Sequence, residues 1–213
     1  MKRQTLNGAW TLTIPGSAFP ETAATVPGSV YSDLLRAGLM PDPFYRDNED
    51  QALRIMAHDF VYSRTFPVSA ELLASDAVLL RCHGLDTLAE IEINGRFAGR
   101  AENMHRVWTY DVKPLLHAGE NTIRVTLFSP TAYIRKAYEE KPLEGSSDAM
   151  RGFPHLRKAH CMFGWDWGPH LPDAGIWRDL ELIGADTALL RDVSVLQRHA
   201  QDRVTLRVIA RPE

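Results

Sequence analysis

The run CMFGWDWGPH, Cys161 to His170, sets one aspartate between two tryptophans, with a glycine on each side. In an extended backbone Trp165 and Trp167 share one face and Asp166 takes the other. Gly164 and Gly168 allow close backbone approach or a positive φ, and Pro169 stiffens the exit. A carboxylate fixed in this way can accept two charge-assisted hydrogen bonds from neighbouring hydroxyls. A ring beside it can cover an apolar C–H face of the same ligand. Those are the two needs of a sugar site. A plainer arrangement fits the same residue types, with both rings in a core and Asp166 paired to Arg157, Lys158 or a backbone amide. Residue types alone leave both open. Arg151, Arg157 and Lys158 themselves read as a solvated face.

Other chemistry is harder to find. His155, His160 and His170 lie close together, but spacings of five and ten residues match no zinc pattern and no paired cysteines stand nearby. No dense carboxylate cluster demands calcium. No metal and no cofactor is therefore expected. The two cysteines, Cys82 and Cys161, read as buried, inert thiols. Glu139 and Glu140 read as a solvated pair, so no catalytic residue is assigned. A formal net charge of −3 argues against a nucleic-acid partner. No apolar run approaches the roughly 20 residues of a membrane span. The opening MKRQTLNGAW has no apolar stretch to act as a signal peptide, which points to the cytoplasm.

The elements around the run are mostly of period two. In LAEIEINGRFAG, Ala89, Ile91 and Ile93 face one way and Glu90 and Glu92 the other, and Asn94-Gly95 suits a type I′ hairpin turn. NTIRVTLF alternates Ile123, Val125 and Leu127 with Arg124 and Thr126, and WRDLELIG alternates Leu180 and Leu182 with Asp179 and Glu181. AVLLRCHG and FVYSRTFPV are further strands. Short runs punctuated by proline and glycine predict an all-β antiparallel sandwich or barrel. One helix is expected after Ser29, with Val30, Leu34 and Leu35 at helical spacing and Gly38 ending it. A second short helix fits AELLAS. Tyr133 to His160 is charged, lacks period two and reads as a long irregular segment of the functional or disordered kind. After Gly184, two strands with a polar turn follow. Two strands do not make a stable domain, so they read as the start of a second one.

RKAHCMFGWDWGP, Arg157 to Pro169, closely resembles the signature of the β-mannosidases of glycoside hydrolase family 2. Other segments resemble that family in the same order: LNGAWTLT, VPGSVYSDLLRAGLMPDPFYRDNE, FVYSRTF, EIEINGRFAG, WTYDVKPLL, GENTIRVTLFSP and IWRDLELI. The resemblance spans about residues 5 to 185.

It implies a galactose-binding-domain-like jelly-roll β-sandwich over residues 1–185, with one or two short helices. Residues 186–213 would be the first strands of an immunoglobulin-like sandwich. Family members are retaining exo-hydrolases of terminal, non-reducing β-mannose, using two glutamates of a (β/α)8 barrel that is absent here. Retention needs those carboxylates roughly 5–5.5 Å apart. The resemblance also implies that the aspartate of the WDW run bonds hydroxyls of the terminal mannose while an adjacent tryptophan shapes the pocket. Carried over, Asp166 and Trp165 are the substrate-binding candidates and Trp167 is a core residue, the rings anchoring the loop. The implied partners are a β-mannoside oligosaccharide and the remaining domains of a longer chain. Competing implications are a sister β-galactosidase, β-glucuronidase or exo-glucosaminidase, a free carbohydrate-binding module, and a supporting domain that never touches sugar.

Overall fold

The computed structural model describes residues 2–212. Two antiparallel sheets make the body. The larger runs Thr22–Val26, Gly8–Thr13, Phe60–Val68, Gly119–Leu127, Ala89–Ile93 and Arg96–Ala101 in spatial order. The smaller runs Lys2–Thr5, Leu180–Ala185, Ala77–Cys82 and Trp108–Asp111. Lys2–Thr5 and Leu180–Ala185 pair side by side, so strands from opposite ends of the fold close the smaller sheet together. The result is a jelly-roll β-sandwich.

Period two explains the packing. Along Gly119–Leu127, Ile123, Val125 and Leu127 are buried and Arg124 between them is exposed. Along Ala77–Cys82, Val78, Leu80 and Cys82 go in. These rows meet Phe60, Tyr62, Phe66, Ile91 and Leu182 in one core. Asn94 and Gly95 both have positive φ, 52° and 72°, as a type I′ turn requires.

The helices depart further from expectation. Val30–Arg36 forms with Ser29 accepting from the Ser32 N–H, but Leu35 is exposed and the inward positions are Val30, Tyr31, Asp33 and Leu34. Ala70–Leu73 forms where AELLAS stands, capped by Ser69. Two further helices were not expected: Glu49–Ile55, and Pro130–Glu140 in the stretch read as irregular. The second begins with Ser129 as cap and Pro130 in the first turn, where a missing N–H costs nothing. Beyond that turn it buries only Ile134, so it offers no continuous apolar stripe to read. Ile134 joins Ala149, Phe153, Leu156 and Phe163 in a separate small core. Leu88 and Met150 pack against that core.

Cys82 is buried, and burial pushes its thiol pKa up, whereas Cys161 is exposed; both are free. After the sandwich, Leu190–His199 and Val204–Pro212 pair as a hairpin forming a sheet of its own.

Candidate functional site

The WDW run is the tip of a short hairpin. Phe163–Trp165 pairs with Gly168–His170, Trp165 facing Gly168 and Phe163 facing His170. Asp166 and Trp167 form the two-residue turn. Both rings are in the open: Trp165 is 39% exposed and Trp167 80%. Their centroids lie 5.3 Å apart with the planes tilted by 50°. Trp167 is therefore not a core residue, and the rings do not anchor the loop. Alternation of faces holds along a strand, and here the chain turns between the two rings. The anchor is Phe163, wholly buried in the small core. Met150 N–H donates to the Phe163 carbonyl at 2.9 Å and adds a second hold.

Asp166 is exposed, and among the described residues no hydrogen bond or ion pair engages its carboxylate. Lys158, one partner foreseen for it, is committed elsewhere. Trp165 and Asp166 thus come together with Trp167 as an unengaged carboxylate beside two partly exposed indoles that pack against each other. Such a group can accept hydrogen bonds from sugar hydroxyls, and the indoles can cover apolar sugar faces.

Sequence reasoning weighs His170 only as a metal ligand and passes over Glu49, and the structure brings the two together. The His170 ring meets Glu49, whose Oε1 lies 2.5 Å from Nδ1 and also accepts the His170 N–H at 3.0 Å. Nε2 faces the Asp148 carbonyl at 3.1 Å. Glu49 opens the Glu49–Ile55 helix. It stands 121 residues from His170, and no local pattern announces a pair so distant. Gly164 has φ +98°, and a Cβ there would lie 2.3 Å from the His170 ring. Only glycine fits under that ring.

The segment carrying the hairpin is pinned at both ends by a buried polar network. Lys158 is 2% exposed rather than on a solvated face. Its Nζ makes a very short contact with the Asp86 carboxylate and donates to the Asp173 carbonyl at 2.6 Å. One ammonium therefore ties residue 158, before the hairpin, to residue 173, after it. Burial lowers the Lys158 pKa, and the Asp86 carboxylate works against that. The Asp173 carboxylate accepts the N–H groups of Tyr31 at 3.0 Å and Ala174 at 2.8 Å. Part of the residue surface reaches solvent, but protein packs densely around the carboxyl. This burial pushes its pKa up to about 6, against the opposing pull of those hydrogen bonds.

The raised value carries a sign. An unfolded aspartate releases its proton near pH 4. Between about pH 4 and 6 the folded state therefore holds more protons than the unfolded one, and stability falls as pH rises through that window. The penalty is complete above about pH 6 and amounts to up to about 3 kcal/mol. Asp173→Asn removes the ionisation. Relative to that variant, the wild type is expected to gain Tm as pH drops from 7 to 5; parallel Tm curves would contradict the assignment.

The fold is thus a jelly-roll sandwich that carries an exposed carboxylate and two exposed tryptophans on one hairpin. The chain belongs to the glycosyl hydrolase 2 galactose-binding domain-like family, whose model matches residues 10–178. It is 33% identical over 195 residues to the mouse protein named beta-mannosidase, covering 87% of this chain and 22% of that protein. A probable beta-mannosidase of Caenorhabditis elegans is 32% identical over 163 residues, or 71% of this chain and 18% of that one. The chain thus spans about a fifth of the length of the curated relatives it matches. Among solved structures, the beta-D-mannosidase of Dictyoglomus thermophilum superposes with a TM-score of 0.91 at 35% identity, over 98% of this chain and 26% of that chain. The exo-chitosanase of Amycolatopsis orientalis shares the fold, with a TM-score of 0.71 at 18% identity over 99% of this chain and 24% of that one.

Proposed function

We propose that this chain is the sugar-binding domain of a retaining exo-β-mannosidase and forms one wall of its substrate pocket. The observation that carries the proposal is the unengaged carboxylate of Asp166, held out between Trp165 and Trp167 on an anchored hairpin. Asp166 accepts hydrogen bonds from hydroxyls of the terminal mannose, and Trp165 shapes the pocket beside it. The hydrolytic glutamates belong to a (β/α)8 barrel elsewhere in a longer polypeptide. Mannose is favoured over the sugars of sister enzymes because the likeness to named mannosidases is far closer than that to β-glucuronidases, at 35% against 18% identity.

The reading includes a boundary near residue 185, with residues 186–213 opening an immunoglobulin-like sandwich. In the Leu190–His199 and Val204–Pro212 hairpin, Val193, Val195, Val204, Leu206, Val208 and Ala210 share one face by register. The five larger ones are each more than half exposed. A two-stranded hairpin does not hold itself in water, and an apolar face of this kind suits a second sheet.

The test is substrate choice. The 213-residue chain alone is expected to hydrolyse nothing. The longer polypeptide is expected to prefer an aryl β-mannoside to the matching β-galactoside, β-glucuronide and β-glucosaminide. Hydrolysis by the isolated chain, or preference for another glycoside, overturns the reading.

A further inference from the structure

We propose that Glu49 is a positioning residue for the Trp165–Asp166–Trp167 turn, acting through His170. The hairpin that bears the turn is closed at its base by the Leu171 N–H donating to the Met162 carbonyl at 2.9 Å. Its first strand is fixed by Phe163 in the small core. Its second strand, Gly168–His170, meets the helix that Glu49 opens. One carboxylate oxygen takes two bonds from one residue, from the His170 backbone N–H and from ring Nδ1. That double acceptance fixes both the path of the strand and the plane of the ring. The far ring nitrogen lies 3.1 Å from the Asp148 carbonyl, a contact that becomes a second hydrogen bond when the ring carries both N–H protons.

The gripped ring then acts on the opposite strand. It lies over Gly164, where a Cβ would come within 2.3 Å, and Gly164 holds φ +98° beneath it. Trp165 follows directly. The chain of contact runs from Glu49 to His170, from His170 to Gly164, and from there to the turn. The turn itself is exposed, so its geometry is set at this root. The sugar-binding role of that turn rests on the function proposed above; the positioning does not.

The experiment reads the turn directly. Two indoles 5.3 Å apart and tilted by 50° couple their transitions and give a paired positive and negative band in circular dichroism. The band's amplitude depends on their mutual angle. Trp167→Phe defines the signal without the pair. In the 213-residue chain, Glu49→Ala is expected to reduce the couplet to the Trp167→Phe level. Glu49→Gln keeps an acceptor oxygen and is expected to restore it. His170→Ala leaves the helix untouched and is expected to lose the couplet as Glu49→Ala does. This arm decides the matter should Glu49→Ala melt early. A full wild-type couplet in Glu49→Ala or in folded His170→Ala overturns the proposal, as does a Gln variant no better than alanine. The measurement needs no sugar. Its failure would leave the mannoside reading standing, and failure of the mannoside reading would leave the couplet result intact.

Discussion

Replacing Lys158 by alanine is expected to destabilise the fold by about 3–5 kcal/mol, the usual result of removing one partner from a buried ion pair. The cost arises less from the lost attraction than from what remains. Asp86 is 4% exposed, and its carboxylate would stay in the interior with Thr87 Oγ1 as its remaining side-chain donor. The Asp173 carbonyl would lose the ammonium that it accepts from. Lys158→Met keeps the stem volume and leaves the same orphaned charge, so it is expected to cost nearly as much. Adding Asp86→Leu to Lys158→Met removes the charge as well and is expected to recover most of the loss, since well-packed apolar residues often replace a buried pair at little cost. Urea unfolding of the three variants separates these terms. A single-variant loss below about 1 kcal/mol, the range of exposed pairs, would mean that water reaches the pair. The site should feel the change too, because Lys158 and Asp173 bracket the hairpin.

How much of this could be read beforehand depends on the distance over which each feature is decided. Ile123, Val125 and Leu127 declare their strand because the alternation lies within one short run. The Asn94-Gly95 turn is equally local. The Pro130–Glu140 helix is not legible, since past its first turn only Ile134 is buried, among the charged Arg135, Lys136, Glu139 and Glu140. Lys158 was read as solvated because lysine is almost never fully buried unless paired, and its partner stands 72 residues away. The resemblance implies a core position for Trp167. What decides its exposure is a two-residue turn that carries it to the tip of the hairpin. Asp166 and Trp165 are neighbours in sequence, so their proximity is local, while their choice as site residues comes from the resemblance. The Glu49–His170 hold on their hairpin is not legible, because it is made wholly by tertiary proximity.

Within the longer enzyme of the proposed function, Asp166→Ala is expected to lower kcat/KM on an aryl β-mannoside about ten-fold to over a hundred-fold. That range corresponds to about 1.5–3 kcal/mol, the typical worth of a hydrogen bond to a charged group. The carboxylate is exposed and otherwise unengaged among the described residues, so the same change should leave the unfolding free energy within about 0.5 kcal/mol of wild type, as for ordinary surface positions. This split is the argument. A supporting domain that never touches sugar would lose neither activity nor stability, and a structural aspartate would lose both together. Asp166→Asn refines the test, because the amide oxygen still accepts a hydrogen bond but without charge assistance. It should fall between wild type and alanine, neutral acceptors being roughly half as strong as ionised ones. Full retention of kcat/KM by Asp166→Ala would remove the aspartate from the pocket and leave the two open tryptophans without a ligand to explain them.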